Sequence, residues 1–296
     1  MKTFTLRPVV LSVFVCAAIS NCIADQSSDL AQRLQDRLKG KVLLLRGFYQ
    51  NGNLNYTADG EVMGNPVPGA WTLAKIQIQE ITVSSDAFEL LGPRVAVAMD
   101  YKKGEFVNVL PAHKNSIKIT VHAPAATTDA QKLEALIQKI FIEGTRLPAS
   151  LVPAYWQDFF TGRITRMKGK DGRFIFQASN SDLETKTNDS AALTLSTASG
   201  VLATPMPKNT KPPRIVSQVD PDYSEVARAS SISGTVLVRI QVDSAGEPRN
   251  PQIIAPIGFG LDDKAIEAIQ QWRFAPAKRN GEPVPVLVNI EMNFRL

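Results

Sequence analysis

Two stretches of period-two alternation near the carboxyl end constrain this chain more than any other feature. From Gly234 to Asp243 the even positions Val236, Val238, Ile240 and Val242 are apolar, while Thr235, Arg239, Gln241 and Asp243 are polar and Leu237 is the one exception. From Val284 the same pattern places Val284, Val286, Val288, Ile290, Met292 and Phe294 on one face, with Asn289, Glu291, Asn293 and Arg295 on the other. Successive side chains of an extended chain point to opposite faces, so each stretch reads as a strand with one side buried. Between them Leu261, Ala265, Ala268, Ile269 and Trp272 share one helical face, and Asp262 and Asp263 sit where the helix dipole favours carboxylates. Upstream, Asp220-Pro221 signals a further helix start, with aspartate as cap and proline in the first helical position. Asp243-Ser244-Ala245-Gly246 supplies hairpin chemistry, and Pro248 and Pro251 make the next strand irregular or place it at an edge. The expectation is two helices on one face of a three-stranded antiparallel sheet.

Several motifs recur in order along this segment. They are Tyr223 with Ala227 and Arg228, Gly234 to Val238, Leu261 to Ala265, Trp272 to Ala277, Gly281 to Val284, and Phe294 to Leu296. On these residues the segment 212–296 resembles the TonB C-terminal domain, with Ser224 standing where that family usually has proline. The resemblance implies a periplasmic domain that captures the short TonB box of an outer-membrane receptor beside its last strand, in energy-coupled transport across the cell envelope. It implies a partner-binding backbone along Val286, Leu287, Val288, Asn289, Ile290, Glu291, Met292, Asn293 and Phe294, with Leu287, Asn289, Glu291 and Asn293 exposed to tune selectivity. It adds the residues before the tyrosine, Gln218, Val219 and Asp220. A familiar member of the family carries glutamine at the place of Asp220, and a carboxylate cannot donate as an amide can. The competing reading is an ordinary edge strand protected by Glu291 and Arg295, or one occupied by the chain's own linker. Dimerisation through the last strand is physically open, because an edge can pair with its symmetry mate.

At the front, Lys2 and Arg7 precede an apolar run from Val9 to Ile19 and a small-residue zone ending at Ala24. This is the pattern of a secretory signal peptide over residues 1–24, cleaved after Ala24. The alternative is an uncleaved inner-membrane anchor, although the run is shorter than the roughly 20 residues that span a bilayer. An uncleaved anchor would admit an inner-membrane motor complex as a further partner. Cleavage removes Cys16 and Cys22, the only cysteines, so no thiol or disulfide remains for catalysis or stapling. Subtracting Lys2 and Arg7 from the formal charge of +5 leaves +3, too mild to argue for nucleic acid.

Residues 25–177 read as a β-rich domain, a small barrel or curled sheet with two helices, so the whole chain is of the α+β class. After a helical stretch from Asp29 to Leu38, strands are expected at Val42–Tyr49, Trp71–Val83, Arg94–Tyr101, Glu105–Leu110 and Ile117–Val121. A phase slip in the Trp71 stretch indicates a bulge near Glu80. Helices are expected at Asp129–Ile142, capped by Thr128, and at Leu151–Phe160, where Tyr155, Trp156, Phe159 and Phe160 form the aromatic centre of the chain. Gly172 to Phe176 reads as one more strand. The region also resembles the amino-terminal part of some acidobacterial TonB-family proteins. From 178 to 211 the chain is rich in Ser, Thr and Asn and then in Pro and Lys, a linker composition. TonB energy transducers typically carry a longer spacer of this kind and an inner-membrane helix.

No constellation for catalysis stands out. His113 and His122 lack a third ligand at metal-binding spacing, no serine lies in a nucleophile elbow, and Gly258-Phe259-Gly260 has no phosphate-loop continuation. Trp272 and Phe274 are expected to close a small core, with Arg273 hydrogen-bonded to nearby backbone. The expectation is a binding protein with no enzymatic activity, catalytic residue, metal or cofactor. Its alternative role is that of an envelope structural or sensory adaptor that reuses the fold without transducing energy.

Overall fold

A computed structural model describes residues 11–111, 115–143, 147–178, 201–203 and 208–296, with the side chains of residues 11–24 and 201–203 excepted. His113 lies outside the described residues, as do residues 1–10 and most of the stretch between 179 and 207. The chain groups into two compact units, one of residues 1–68, 76–94 and 115–143, the other of residues 69–75, 95–114 and 144–296.

In chain order the elements up to residue 143 are α1 (Leu11–Leu38), β1 (Val42–Leu45), β2 (Asn53–Tyr56), β3 (Lys75–Gln77), β4 (Glu80–Val83), β5 (Phe88–Asp100), β6 (Glu105–Val109), β7 (Ser116–Val121), α2 (Ala130–Ile140) and β8 (Phe141–Ile142). The first unit is built on the strand path β2-β7-β5-β3-β1-β8, with β4 also paired to β5. The path is open, with β2 and β8 at its two ends, so the region is a curled sheet rather than a closed barrel. Leu30, Leu34 and Leu38 of α1 recur every fourth residue and are buried in one core with Leu133, Leu136, Ile137 and Ile140 of α2. The helix expected from Asp29 is the end of a longer one that begins at Leu11 and runs through the expected cleavage position.

Several local expectations shift. Asp129, not Thr128, caps α2, accepting the Lys132 N–H at 2.8 Å, because Thr128 instead donates to the Pro124 carbonyl at 2.8 Å. The Trp71 stretch is a single 3-10 turn, Trp71–Leu73, followed by two separate strands, β3 and β4. The break around Ile78 and Gln79 takes the place of a bulge near Glu80. β2 is absent from the sequence reading, since Asn53-Leu54-Asn55-Tyr56 is too short and polar to signal a strand, and it exists by parallel pairing with β7.

The remaining elements are α3 (Ala154–Thr161), β9 (Ile164–Lys168), β10 (Phe174–Ala178), β11 (Val201–Ala203), β12 (Thr210–Lys211), β13 (Arg214–Ser217), α4 (Glu225–Ala229), β14 (Gly234–Val242), β15 (Pro248–Ala255), α5 (Leu261–Ile269), β16 (Arg273–Ala275), β17 (Ala277–Arg279), β18 (Glu282–Val284) and β19 (Val286–Phe294). The main sheet of the second unit has the order β11-β19-β14-β15. Its three long strands are the expected ones, with β14 in the middle. The alternation holds on the buried side, where Val236, Val238, Ile240, Val242, Val288 and Ile290 are all 0% exposed. α5 packs on β14 and β15, with Leu261, Ala265 and Ile269 wholly buried.

The upstream helix, α4, is short and does not start at Asp220. Its cap is Ser224, whose hydroxyl accepts the Ala227 N–H at 3.1 Å and donates to the Phe259 carbonyl. Serine can do both, so the position that departs from the TonB pattern is a complete helix start. Trp272 and Phe274 are buried, and Arg273 donates to the Trp272 carbonyl at 2.7 Å, as expected of core-closing residues.

Aromatic side chains form a second packed region of this unit. Trp156, fully buried, lies edge-on to Trp71 with 5.4 Å between ring centres, and Phe106, Phe159 and Phe160 surround it. The hairpin β9-β10 and α3 pack against β15, with Ile164, Ala178 and Ile254 in one cluster.

Candidate functional site

The path ends at β11 and β15, and the two outer long strands, β15 and β19, are built differently. β15 carries Pro248 and Pro251, which cannot donate to a ladder, and it is further covered by α3 and β10. β19 is a nine-residue strand paired with β14 along its entire length without a register shift, from Val286 opposite Val242 to Phe294 opposite Gly234. On its other side, among the described residues, lies β11, antiparallel, with Val201 opposite Ile290, Leu202 opposite Asn289 and Ala203 opposite Val288. Of the two outer long strands the last one is therefore the better suited to pairing on its outer side, and a segment of the chain itself occupies its middle.

The structure sorts the expected partner-binding residues. Val288, Ile290, Met292 and Phe294 point into the core, and Val286 is half-buried. On the opposite face Leu287 and Glu291 are half-buried and Asn293 is exposed, its amide oxygen accepting from the Thr235 hydroxyl at 2.7 Å. Asn289 is not exposed as expected. It is 6% exposed, and its side-chain oxygen accepts from Arg239 Nε at 3.1 Å. Arg239 is itself buried, and desolvation lowers its pKa, partly offset by the nearby charge of Asp158. A polar pair that the alternation assigns to solvent is thus internal, hydrogen-bonded as buried polar groups must be. Gln218, Val219 and Asp220 follow β13 as an exposed segment, anchored where Trp272 Nε1 donates to the Val219 carbonyl at 2.9 Å. Tyr223, just beyond, packs edge-on against Phe294 at 5.5 Å.

The residues that sequence reasoning missed are Val201, Leu202 and Ala203. Their signal is a short apolar run between Gly200 and Pro205, but three residues inside a polar stretch carry no detectable period.

The face of the sheet opposite α5 bounds a cleft of about 810 Å³, walled by Met167, Phe174 and Phe176 of the β9-β10 hairpin and by Leu237 and Ile254. Two of its charged side chains have partners: Arg173 lies 5.9 Å from the Tyr101 ring centre and Arg239 is held by Asn289. Among the described residues no group of His, Cys, Asp or Glu is arranged to hold a metal ion.

Two carboxylates at the start of α5 are unusual. Asp262 accepts the N–H groups of Ile257 and Gly258, each at 2.8 Å, yet complete burial pushes its pKa up to about 8. Asp263 accepts from the Tyr155 hydroxyl at 2.8 Å, and burial raises it to about 6 against that hydrogen bond. Both values lie above the unfolded aspartate value of about 3.9, so the folded state holds the extra protons. The stability these groups contribute is full below about pH 4 and is lost as pH rises through about 6 and then about 8. Asp263→Asn keeps an acceptor for Tyr155 and removes the charge. Its melting temperature should fall less than that of the wild type between pH 4 and pH 7, by about 2–4 °C. Parallel melting curves for the two proteins would show that Asp263 ionises without cost.

The second unit thus holds a small antiparallel sheet, covered by a helix on one face, with its last long strand paired along its whole length to β14. Residues 219–296 match the family model described as Gram-negative bacterial TonB protein C-terminal. The chain therefore carries a TonB C-terminal domain. Protein TonB of Vibrio cholerae is 38% identical over 87 residues, which cover 29% of this chain and 36% of that protein. Protein tonB2 of Pseudomonas aeruginosa is 34% identical over 77 residues, covering 26% and 28% of the two chains. Protein TonB of Escherichia coli is 32% identical over 101 residues, covering 34% and 41%. The chain thus spans well under half the length of these relatives. Among the described residues no helix is long and apolar enough to cross a membrane.

Proposed function

We propose that the carboxyl-terminal domain binds an extended segment of an outer-membrane receptor by adding it as a strand to β19, in energy-coupled transport. The observation that supports this reading is the sheet order, which gives β19 a full-length partner on one side and, among the described residues, three paired residues on the other. Backbone N–H and C=O groups along Val286–Phe294 supply affinity in this mode, and side chains alternating along the strand supply selectivity. Leu287, Glu291 and Asn293 are the selectivity residues of this reading, while Asn289 acts from beneath by holding Arg239 in place. Gln218, Val219 and Asp220 are a secondary contact, held in position by Trp272. The role is binding without chemical catalysis, in the periplasm, after export directed by residues 1–24.

The test is amide hydrogen exchange on the full chain, with and without a synthetic peptide carrying the TonB box of an outer-membrane receptor from the same organism. Added protection along Val286–Phe294, with a smaller gain at Gln218–Asp220, is the expected result; no protection of Val286–Phe294 sinks the reading.

A second reading is favoured by the occupied middle of β19. In it the protein is an envelope adaptor that keeps the TonB fold and transduces no energy. The two readings differ at the amino terminus: a chain held in the inner membrane by residues 1–24 has access to a motor complex. The intact mass of the protein recovered from fractionated cells separates them. A soluble chain beginning near Asp25 selects the adaptor.

A further inference from the structure

Gln252 of β15, Arg239 of β14 and Asn289 of β19 stand opposite one another in the ladder, so their side chains form one polar row on the sheet face away from α5, where the cleft lies. Arg239 is 4% exposed, and Asn289 accepts from its Nε. Its two terminal nitrogens have neither a hydrogen-bond partner nor an ion pair among the described residues, and they stay accessible to the cleft that the side chain lines. Asp158, whose charge reaches Arg239, is itself engaged by Gln252 and Arg163. A guanidinium keeps its charge at any ordinary pH, and a buried charge without a counter-charge is costly. Its planar fork matches a carboxylate through two parallel hydrogen bonds.

The rest of the lining is mainly apolar. Leu237 and Ile254 come from the sheet, and Phe174 and Phe176 stand half-buried on the β9-β10 hairpin. Met167 and Ile175 of the same hairpin line the cleft while 44% and 52% exposed, so apolar surface is left in water there. The volume of about 810 Å³ falls within the range of small-molecule sites. Asp171 and Glu291 also line the cleft, the first exposed and the second half-buried, and Arg173 is exposed against the Tyr101 ring. These three are open to water, so the enclosed guanidinium is the group that gains most from a counter-charge. The two carboxylates disfavour a head group carrying more than one negative charge.

We propose that this cleft binds an amphipathic monocarboxylate, with its carboxylate on Arg239 and its apolar body between Leu237, Ile254 and the β9-β10 hairpin. The proposal does not rest on strand capture, which uses the backbone of β19. Its first test needs no variant. Full-length protein is titrated calorimetrically at neutral pH with decanoate, hexanoate, 1-decanol, decylammonium and decyl phosphate, each below its micelle concentration. Decanoate should bind at least tenfold more tightly than the other three ten-carbon compounds. Each buried CH₂ group is worth a factor of about four, so hexanoate, four groups shorter, should also be weaker by at least tenfold. Decanol equal to decanoate would leave an apolar surface with no reader of the head group. Decylammonium as the tightest ligand would make Glu291 the reader. Either result, a stronger decyl phosphate, or no decanoate binding at millimolar concentration overturns the proposal.

Arg239→Met combined with Asn289→Leu then places the head group. The pair of changes removes the charge without leaving a buried amide unpartnered. The double variant should bind decanol as the wild type does and lose its preference for decanoate over decanol. A preference that survives overturns the role of Arg239. A second measurement on the wild type covers the case in which the double variant does not fold. Saturating decanoate should slow amide exchange at Phe174–Ala178 and Thr235–Arg239, the two sides of the cleft. Slowing confined to any other part of the chain places the ligand elsewhere and overturns the proposal.

Discussion

Replacing Trp156 by alanine should cost about 3–5 kcal/mol of stability, the range for truncating a fully buried large aromatic. The ring is 0% exposed and touches Trp71, Phe106, Phe159 and Phe160, with ring centres 5.4 to 6.2 Å away. No small rearrangement fills a hole of that size, because the neighbours are held by one another: Trp71 edge-on by Phe106 at 4.9 Å, Phe106 by the tilted ring of Phe159 at 5.3 Å. The indole N–H of Trp156 has no acceptor among the described residues. Trp156→Phe should therefore be milder than the lost area suggests, since it also removes a buried donor. The loss should spread into the TonB C-terminal domain. Asp158 of the same helix accepts from Gln252 of β15, and Tyr155 donates to Asp263 of α5. Urea unfolding read together with amide exchange on β14 and β15 checks both points. A Trp156→Ala protein that loosens α3 while β14 and β15 keep wild-type protection would show that the aromatic region and the sheet unfold independently.

Gly258→Ala should be comparably severe, about 3 kcal/mol or more, for a different reason. Gly258 has φ +96°, a backbone state that L side chains rarely adopt, which alone is worth about 1–3 kcal/mol. A Cβ there would also lie 2.1 Å from the Val97 carbonyl oxygen and 2.8 Å from Ala98 Cα. These are backbone atoms of β5, and they are pinned in turn: Phe259 N–H donates to the Val97 carbonyl at 3.0 Å, and Met99 N–H to the Ile257 carbonyl at 2.9 Å. Relief would require breaking those bonds and the contact of the Gly258 N–H with Asp262. Gly281→Ala is the control. It has φ +94° and nothing within 4 Å of the added methyl, so it should show the conformational cost alone, about 1–3 kcal/mol. Urea midpoints for the pair separate strain from collision. Equal losses would mean that the approach of Gly258 to β5 is not tight in solution.

The glycine pair also marks how far the sequence could be read. Gly258-Phe259-Gly260 attracts notice as a motif, and its chemistry can be excluded from its neighbours, but its use cannot be seen. That use is a close passage of backbone against a strand some 160 residues earlier. The long alternating strands, the face of α5 and the core roles of Trp272 and Phe274 were legible, because each follows from periodicity within one segment. So was the aromatic centre around Trp156. The start of α4 was misread because two capping residues, Asp220 and Ser224, lie four apart, and the choice falls to the one whose hydroxyl also reaches the Phe259 carbonyl.

The same division applies to the candidate site. The alternation that sends Val288, Ile290, Met292 and Phe294 of the last strand inward belongs to the sequence by itself, since burial of every second residue is a local property of an extended chain. Only the tertiary structure decided that Asn289 is buried with Arg239, that residues 69–75, 95–114 and 147–178 gather into one compact unit with the TonB C-terminal domain, and that Val201–Ala203 closes the middle of β19. The reason is physical: these are pairings between segments distant along the chain, stabilised by contacts that exist only once both partners are in place. A pattern read along the chain registers which face of a segment is apolar, and the choice of what covers that face is made between segments.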